Sequence, residues 1–163
     1  MEHYNNFLSI EECKLIIQHS DTLIFEENLT AVRNFKYTSP SNYTQFNFLN
    51  RKLQEIGIEN VKKWNINKYE KGAFFKEHTD RGGRYDPLGE RVKTVVINLS
   101  EETDYTGGTL NVNGEKINPA QGTAVIFDSS FRHKVTEVTN GIRYSFSLWL
   151  IKENFKEFYK GLI

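Results

Sequence analysis

The sequence predicts a mainly β domain with helices supporting one face. Three observations predict it. Helical periodicity dominates a front segment of about residues 9–57. Short β-branched and aromatic runs then follow one another over about 61–151, and glycine-bearing dipeptides separate those runs. Twelve Phe and eight Tyr raise the aromatic share to 13%, which suits pleated, half-buried surfaces. A chain of 163 residues can bury one core, and 1–163 reads as a single domain. No repeat or low-complexity tract interrupts it, and Pro40, Pro87 and Pro119 are the only prolines.

The first helix is announced by Ser9-Ile10-Glu11-Glu12, a capping box in which Ser9 caps orphan N–H groups and Glu12 returns the bond; it is expected to run to about Leu23. Over Tyr43–Ile56 the residues Phe46, Leu49, Leu53 and Ile56 recur at three- and four-residue spacing, which predicts a second helix stopped by Gly57. Val61–Tyr69, Ala73–Asp80, Val92–Leu99, Gly122–Phe127 and Arg143–Ile151 read as strands, with a further β-like stretch over His133–Val138. Gly107-Gly108 marks a turn, and Asn113-Gly114 and Asn140-Gly141 have the composition of two-residue hairpins. Phe155, Phe158, Tyr159 and Leu162 predict a short C-terminal helix docked on the sheet. The loop Arg81–Arg91, RGGRYDPLGER, is glycine- and proline-bearing, and loops of this kind often act as lids.

Formal net charge is zero, so the chain lacks the basic balance of a dedicated nucleic-acid binder. Cys13 is the only cysteine and excludes an internal disulfide, as suits a reducing compartment. The opening MEHYNNFLSIEEC has no basic segment followed by an apolar one, and no apolar run reaches the roughly 18 residues of a membrane span. A soluble, cytoplasmic protein is expected. His3, in a terminus expected to fray, and His19, on the first helix, read as surface groups.

Residues i and i+2 of a strand share a face, so His78 and Asp80 would project an imidazole and a carboxylate into one space. Taken alone, the tripeptide reads as well as an ordinary strand end. One further imidazole, from His133, would complete a two-histidine, one-carboxylate facial triad with open positions, the arrangement that suits non-haem Fe(II). Ten residues on, Arg143 and Ser145 share a face of the last strand. An arginine in a barrel interior needs an anion, and its planar fork matches a carboxylate through two parallel hydrogen bonds. A salt bridge at a strand end is the plainer reading of Arg143.

This ordered set resembles the 2-oxoglutarate/Fe(II)-dependent dioxygenase superfamily and, within it, the prolyl 4-hydroxylase branch. Flanking stretches are similar as well: Asn5–Cys13; Asn65–Tyr69 with Gly72–Phe75; Thr94–Leu99 followed by Gly107–Leu110; and Gly122–Phe127 leading to His133. The resemblance covers nearly the whole chain. It implies a double-stranded β-helix, the jelly-roll or cupin-like core. It implies Fe(II) held by His78, Asp80 and His133, and 2-oxoglutarate held by Arg143, with Ser145 or Thr94 assisting. Tyr69 matches a tyrosine whose hydroxyl lies near the cosubstrate, and it reads equally as a core aromatic. The family's tyrosine in the strand near Ile97 is missing here.

The implied reaction consumes O2 and 2-oxoglutarate, releases succinate and CO2, and hydroxylates a C–H bond, with ascorbate as an expected reductant. The expected substrate is a prolyl residue in a peptide or protein; a free amino acid or other small metabolite is the alternative. A catalytically silent binding module is the reading from another class. Nucleic-acid dealkylation is discounted, because the second arginine such enzymes carry six residues on is Trp149 here.

Overall fold

In a computed structural model of the chain, residues 1–39 and 46–156 are described. Helix α1 spans Ile10–Ser20 and begins with the expected box: Ser9 Oγ accepts from Glu12 N–H at 3.1 Å, and Ser9 N–H donates to the Glu12 carboxylate at 2.9 Å. It ends three residues before Leu23. Helix α2 spans Asn47–Glu55. The expected start at Tyr43 lies outside the described residues. Gly57, at φ 81°, takes the left-handed conformation after α2, and Ile58 N–H reaches back to Leu53 O at 2.9 Å. That is how the helix's last carbonyls are satisfied, and a side chain there would be strained.

Among the described residues, thirteen strands follow the chain order β1 Glu2–Tyr4, β2 Glu26–Leu29, β3 Arg33–Thr38, β4 Trp64–Tyr69, β5 Phe74–His78, β6 Arg91–Asn98, β7 Tyr105–Gly107, β8 Leu110–Val112, β9 Glu115–Ile117, β10 Ala124–Asp128, β11 His133–Val135, β12 Val138–Gly141 and β13 Arg143–Ile151. Eleven form one antiparallel sheet ordered β1-β10-β6-β13-β4-β3-β5-β11-β8-β9, with β2 added to β3. It curls into a half-barrel with the two helices on one face.

Strand alternation sorts the core in two. Ile66, Val95, Ile97, Phe146 and Leu148 face the helices and pack with Cys13, Ile16, Leu49 and Leu53. Tyr69, Val96, Val125, Phe127, Leu110 and Val135 face the concave side. Leu53 is 1% exposed, so Leu53→Ala should cost about 2–5 kcal/mol.

Several expectations are corrected. His3 lies in β1, paired with Val125 of β10, so the N-terminus forms a sheet edge where an unpaired end was expected. Strands β2 and β3 were not foreseen. Asn113-Gly114 does make the β8–β9 hairpin, both residues at positive φ. Asn140-Gly141 does not make one: β12 leaves the main sheet and pairs with β7, so tertiary pairing overrides the turn composition. His133–Val138 divides between β11 and β12. Phe155 is extended, bridged to Ile58 after a 3₁₀ turn at Lys152–Asn154; the rest of the expected C-terminal helix lies outside the described residues. Among the described residues, no helix is long and apolar enough to cross a membrane.

Candidate metal centre and cleft

His78 ends β5 and faces His133 of β11 as its register partner. Asp80 comes just past the strand, where its own N–H and that of Arg81 both donate to Ser129 O at 3.0 Å. This clamp turns the carboxylate toward the imidazoles. His78 Nε2 lies 3.5 Å from Asp80 Oδ1, and His133 Nε2 lies 3.3 Å from Asp80 Oδ2. One ligand atom from each of the three falls within 4.8 Å of the others.

The far side of each ring is fixed. A backbone carbonyl can only accept, so His78 Nδ1–H donates to Lys76 O at 2.7 Å and His133 Nδ1–H donates to Phe131 O at 3.0 Å. In the neutral ring each Nε2 lone pair is thereby turned to the centre, the tautomer a metal requires; when protonated, the same nitrogens donate to Asp80. Phe75 stacks on His78 at 3.6 Å and Phe127 meets His133 at 4.9 Å, which limits ring rotation. Thr94 donates to Asp80 Oδ2 at 2.8 Å and exchanges a 3.0 Å bond with Ser129.

Burial works to raise the Asp80 pKa, yet hydrogen bonds and charge from His133 and His78 overcome it and hold the carboxyl well below the ordinary carboxylate range. Burial works to lower the His133 pKa, and the Asp80 carboxylate reverses that, leaving it raised. These shifts describe a site already organised for positive charge. Two imidazole nitrogens and one carboxylate with open positions fit Fe(II).

Behind the triad lies a small chamber of about 50 Å³, walled by Thr94, Val96, His133, Arg143 and Ser145. Arg143 is 2% exposed, and among the described residues no carboxylate lies within ion-pair distance of it. Its guanidinium carbon sits 5.4 Å from the centre of the Tyr69 ring. Tyr69 stacks on Phe35 at 4.8 Å and is also part of both cavity walls, so it is a core aromatic and a site residue together. A buried guanidinium aimed into a chamber beside a metal triad fits a ligand with a distal carboxylate.

In front of the triad opens a cleft of about 740 Å³, within the usual range of ligand sites. The loop expected to act as a lid contributes Gly83, Arg84 and Tyr85 to it. Buried Asp86 organises that loop, accepting from the N–H groups of Gly82, Glu90 and Arg91 at 3.1, 2.9 and 3.2 Å.

The structure brings His78, Asp80, His133, Arg143, Ser145, Tyr69 and Thr94 together. Two departures concern β6. Ile97 faces the helices, so the position that fronts the chamber is Val96. Thr94 spends its hydroxyl on Asp80. Sequence reasoning missed Asn67, whose amide donates to Ser145 and Ser147 at 3.3 and 2.9 Å, and also Ser129, Arg33, Arg91 and the site position of Trp149. Alternation offered a signal for some of these: Asn67 is two before Tyr69, and Ser147 and Trp149 continue the parity of Arg143.

The profile of the 2OG-Fe(II) oxygenase superfamily matches residues 64–151, the segment that carries every residue of the triad and Arg143. A PKHD-type hydroxylase of Caulobacter sp. (strain K31) is 35% identical over 93 residues, 52% of this chain and 41% of the relative. The chain thus matches less than half the length of that relative. Among solved structures, a prolyl-4-hydroxylase of Pseudomonas putida superposes with a TM-score of 0.70 at 20% identity, covering 92% of this chain and 91% of that one. A prolyl hydroxylase from Trichoplax adhaerens, in complex with a hypoxia inducible factor oxygen degradation domain peptide fragment, gives 0.72 at 20% identity, covering 99% and 86%. These likenesses establish the jelly-roll fold.

Proposed function

Because the chain belongs to the 2OG-Fe(II) oxygenase superfamily, we propose that it hydroxylates a C–H bond of a prolyl residue in a peptide or protein, consuming O2 and 2-oxoglutarate and releasing succinate and CO2. The observation that carries the reading is the pairing of the triad with Arg143, a buried guanidinium without a counter-ion among the described residues, in the chamber behind it. The prolyl and peptide part is supported by the names of the relatives: two of the structures alike in fold are prolyl hydroxylases, and one holds a peptide.

Iron and 2-oxoglutarate, when bound, would activate O2, one oxygen atom going into succinate as CO2 leaves and the other to the hydroxylated carbon. The chain's own groups do the rest. His78, Asp80 and His133 hold the ion, and their carbonyl and hydroxyl partners fix their orientation. Arg143 takes the distal carboxylate of the cosubstrate, with Ser145 at its side, and Tyr69 closes the wall between chamber and cleft. The rings of Phe75 and Phe127 against the histidines hold both imidazoles in orientation.

The test is turnover with Fe(II), 2-oxoglutarate and ascorbate as reductant, offered proline-containing peptides and free amino acids in parallel. Succinate release with gain of one oxygen on a peptidyl proline is the expected result. Hydroxylation of free proline and of no peptide would overturn the peptidyl reading, and absence of iron-dependent succinate with every substrate would overturn the oxygenase itself.

A further inference from the structure

The charged side chains of the outer cleft are almost all of one sign. Arg33, Arg84, Arg91, Lys62 and Lys63 line it, and among the described residues the only carboxylate in its wall is Asp80, a triad member. Among the described residues, none of these five cations has a carboxylate within ion-pair distance, whereas Lys36, Lys52, Arg132 and Lys156 elsewhere each have a partner. A chain of zero net charge has concentrated unpaired positive charge at the mouth of one site.

Two of these cations are held in place. Arg33 is half-buried, and its guanidinium lies 4.8 Å from the Phe75 ring and 5.0 Å from the Tyr85 ring. Its Nε is buried without a hydrogen-bond partner. Arg91 is half-buried too and lies 4.6 Å from the Trp149 ring, whose indole N–H is likewise buried and unpartnered. The carboxylates that act on Arg91 are Asp80, which belongs to the triad, and Asp86, which is committed to three backbone N–H groups. Stacking holds each guanidinium plane without using its donors, so both present preorganised forks to a carboxylate.

Arg33 and Arg91 stand on different strands, β3 and β6, while Lys62, Lys63 and Arg84 are exposed. One small carboxylate could engage only part of this array. We propose that the cleft selects a peptide or protein segment bearing acidic side chains around the residue offered to the metal, with Arg33 and Arg91 binding carboxylates in the cleft and the lysines steering the segment in. This deepens the reading above and rests on it for the location of the reacting residue.

The test uses the protein loaded with Mn(II) and 2-oxoglutarate, in which binding is read without turnover. Labelled peptides with a central proline flanked by Glu, Gln or Lys are compared by fluorescence polarisation at low and high salt. The Glu peptide should bind at least about tenfold tighter than the Gln peptide, as two charge-assisted contacts allow, with Lys weakest and the gap closing with salt. Arg33→Gln and Arg91→Gln should each shrink the Glu-over-Gln ratio, and Arg33→Lys should keep part of it; thermal melts confirm that each variant folds. Equal binding of Glu and Gln peptides overturns the proposal even if both are hydroxylated. Acidic preference without proline hydroxylation upholds it while sinking the prolyl reading. A single-stranded oligonucleotide that binds tighter than the Glu peptide, or competition by free amino acids alone, overturns it.

Discussion

Thr94 Oγ1 donates to Asp80 Oδ2 across 2.8 Å, from a central strand to a carboxylate just beyond the end of another. This bond selects which carboxylate oxygen faces which imidazole. Thr94→Val keeps the shape and removes the donor. Metal affinity should fall by roughly 10–100-fold, the usual cost of losing a partner that orients a ligand. Titration with Co(II) or Mn(II), alongside a melting curve, checks it; unchanged affinity would remove Thr94 from the site.

Arg143 is buried without a counter-ion among the described residues, so the metal-loaded protein should gain stability from 2-oxoglutarate. At about 100 times Kd the gain is about 2.7 kcal/mol, a rise in Tm of roughly 5–10 °C at this size. Arg143→Met should lose most of that rise and need far more 2-oxoglutarate for turnover. Without cosubstrate it should melt no lower than the parent, because a buried charge has been replaced by an apolar chain.

Gly108 has φ 59°, and a Cβ there would lie 2.9 Å from Val138 Cγ2 and 3.1 Å from Arg143 Cδ. Gly108→Ala should therefore press on the arginine stem and weaken 2-oxoglutarate binding more than metal binding. Left-handed strain adds about 1 kcal/mol of destabilisation. Separate titrations of metal and cosubstrate distinguish this from a general loosening.

The pH dependence follows from the opposed shifts of Asp80 and His133. The raised His133 pKa stabilises the metal-free fold below the ordinary histidine value of about 6.5, and that contribution is lost as pH rises through the raised value. The lowered Asp80 pKa contributes above about 3.9 and is lost as pH falls through its own depressed value. The triad's contribution to the metal-free protein should thus be greatest between about 4 and 6.5. Metal needs neutral His133, so metal affinity should fall with acidification, starting above the usual histidine range. Titrations from pH 8 down to 5.5 measure both trends.

What could be read in advance had local causes. The Ser9 box sets the start of α1, and β13 coincides with its expectation, Arg143–Ile151, because nine residues of sheet-favouring composition lie at the centre of the fold. The triad was legible because i and i+2 share a face. Strands β1 and β2 were not, since their residues are largely exposed and polar and owe their form to partners far along the chain. Alternation gives parity without phase, which is why Ile97 was placed where Val96 stands. The stacked arginines escaped notice for a related reason. Arg33 meets Tyr85, and Arg91 meets Trp149, only after four separate segments have come together.

Because His78 and His133 face each other on β5 and β11, an ion shared between them would staple two strands whose ladder is interrupted by a register shift between His133 and Val135. Among the described residues, β8 and the edge strand β9 lie beyond β11. Chelation should then loosen that outer flank first, visible as faster amide exchange at Leu110–Ile117 than in β13. Iron starvation would act on this protein twice, silencing it and exposing a margin that proteases can enter.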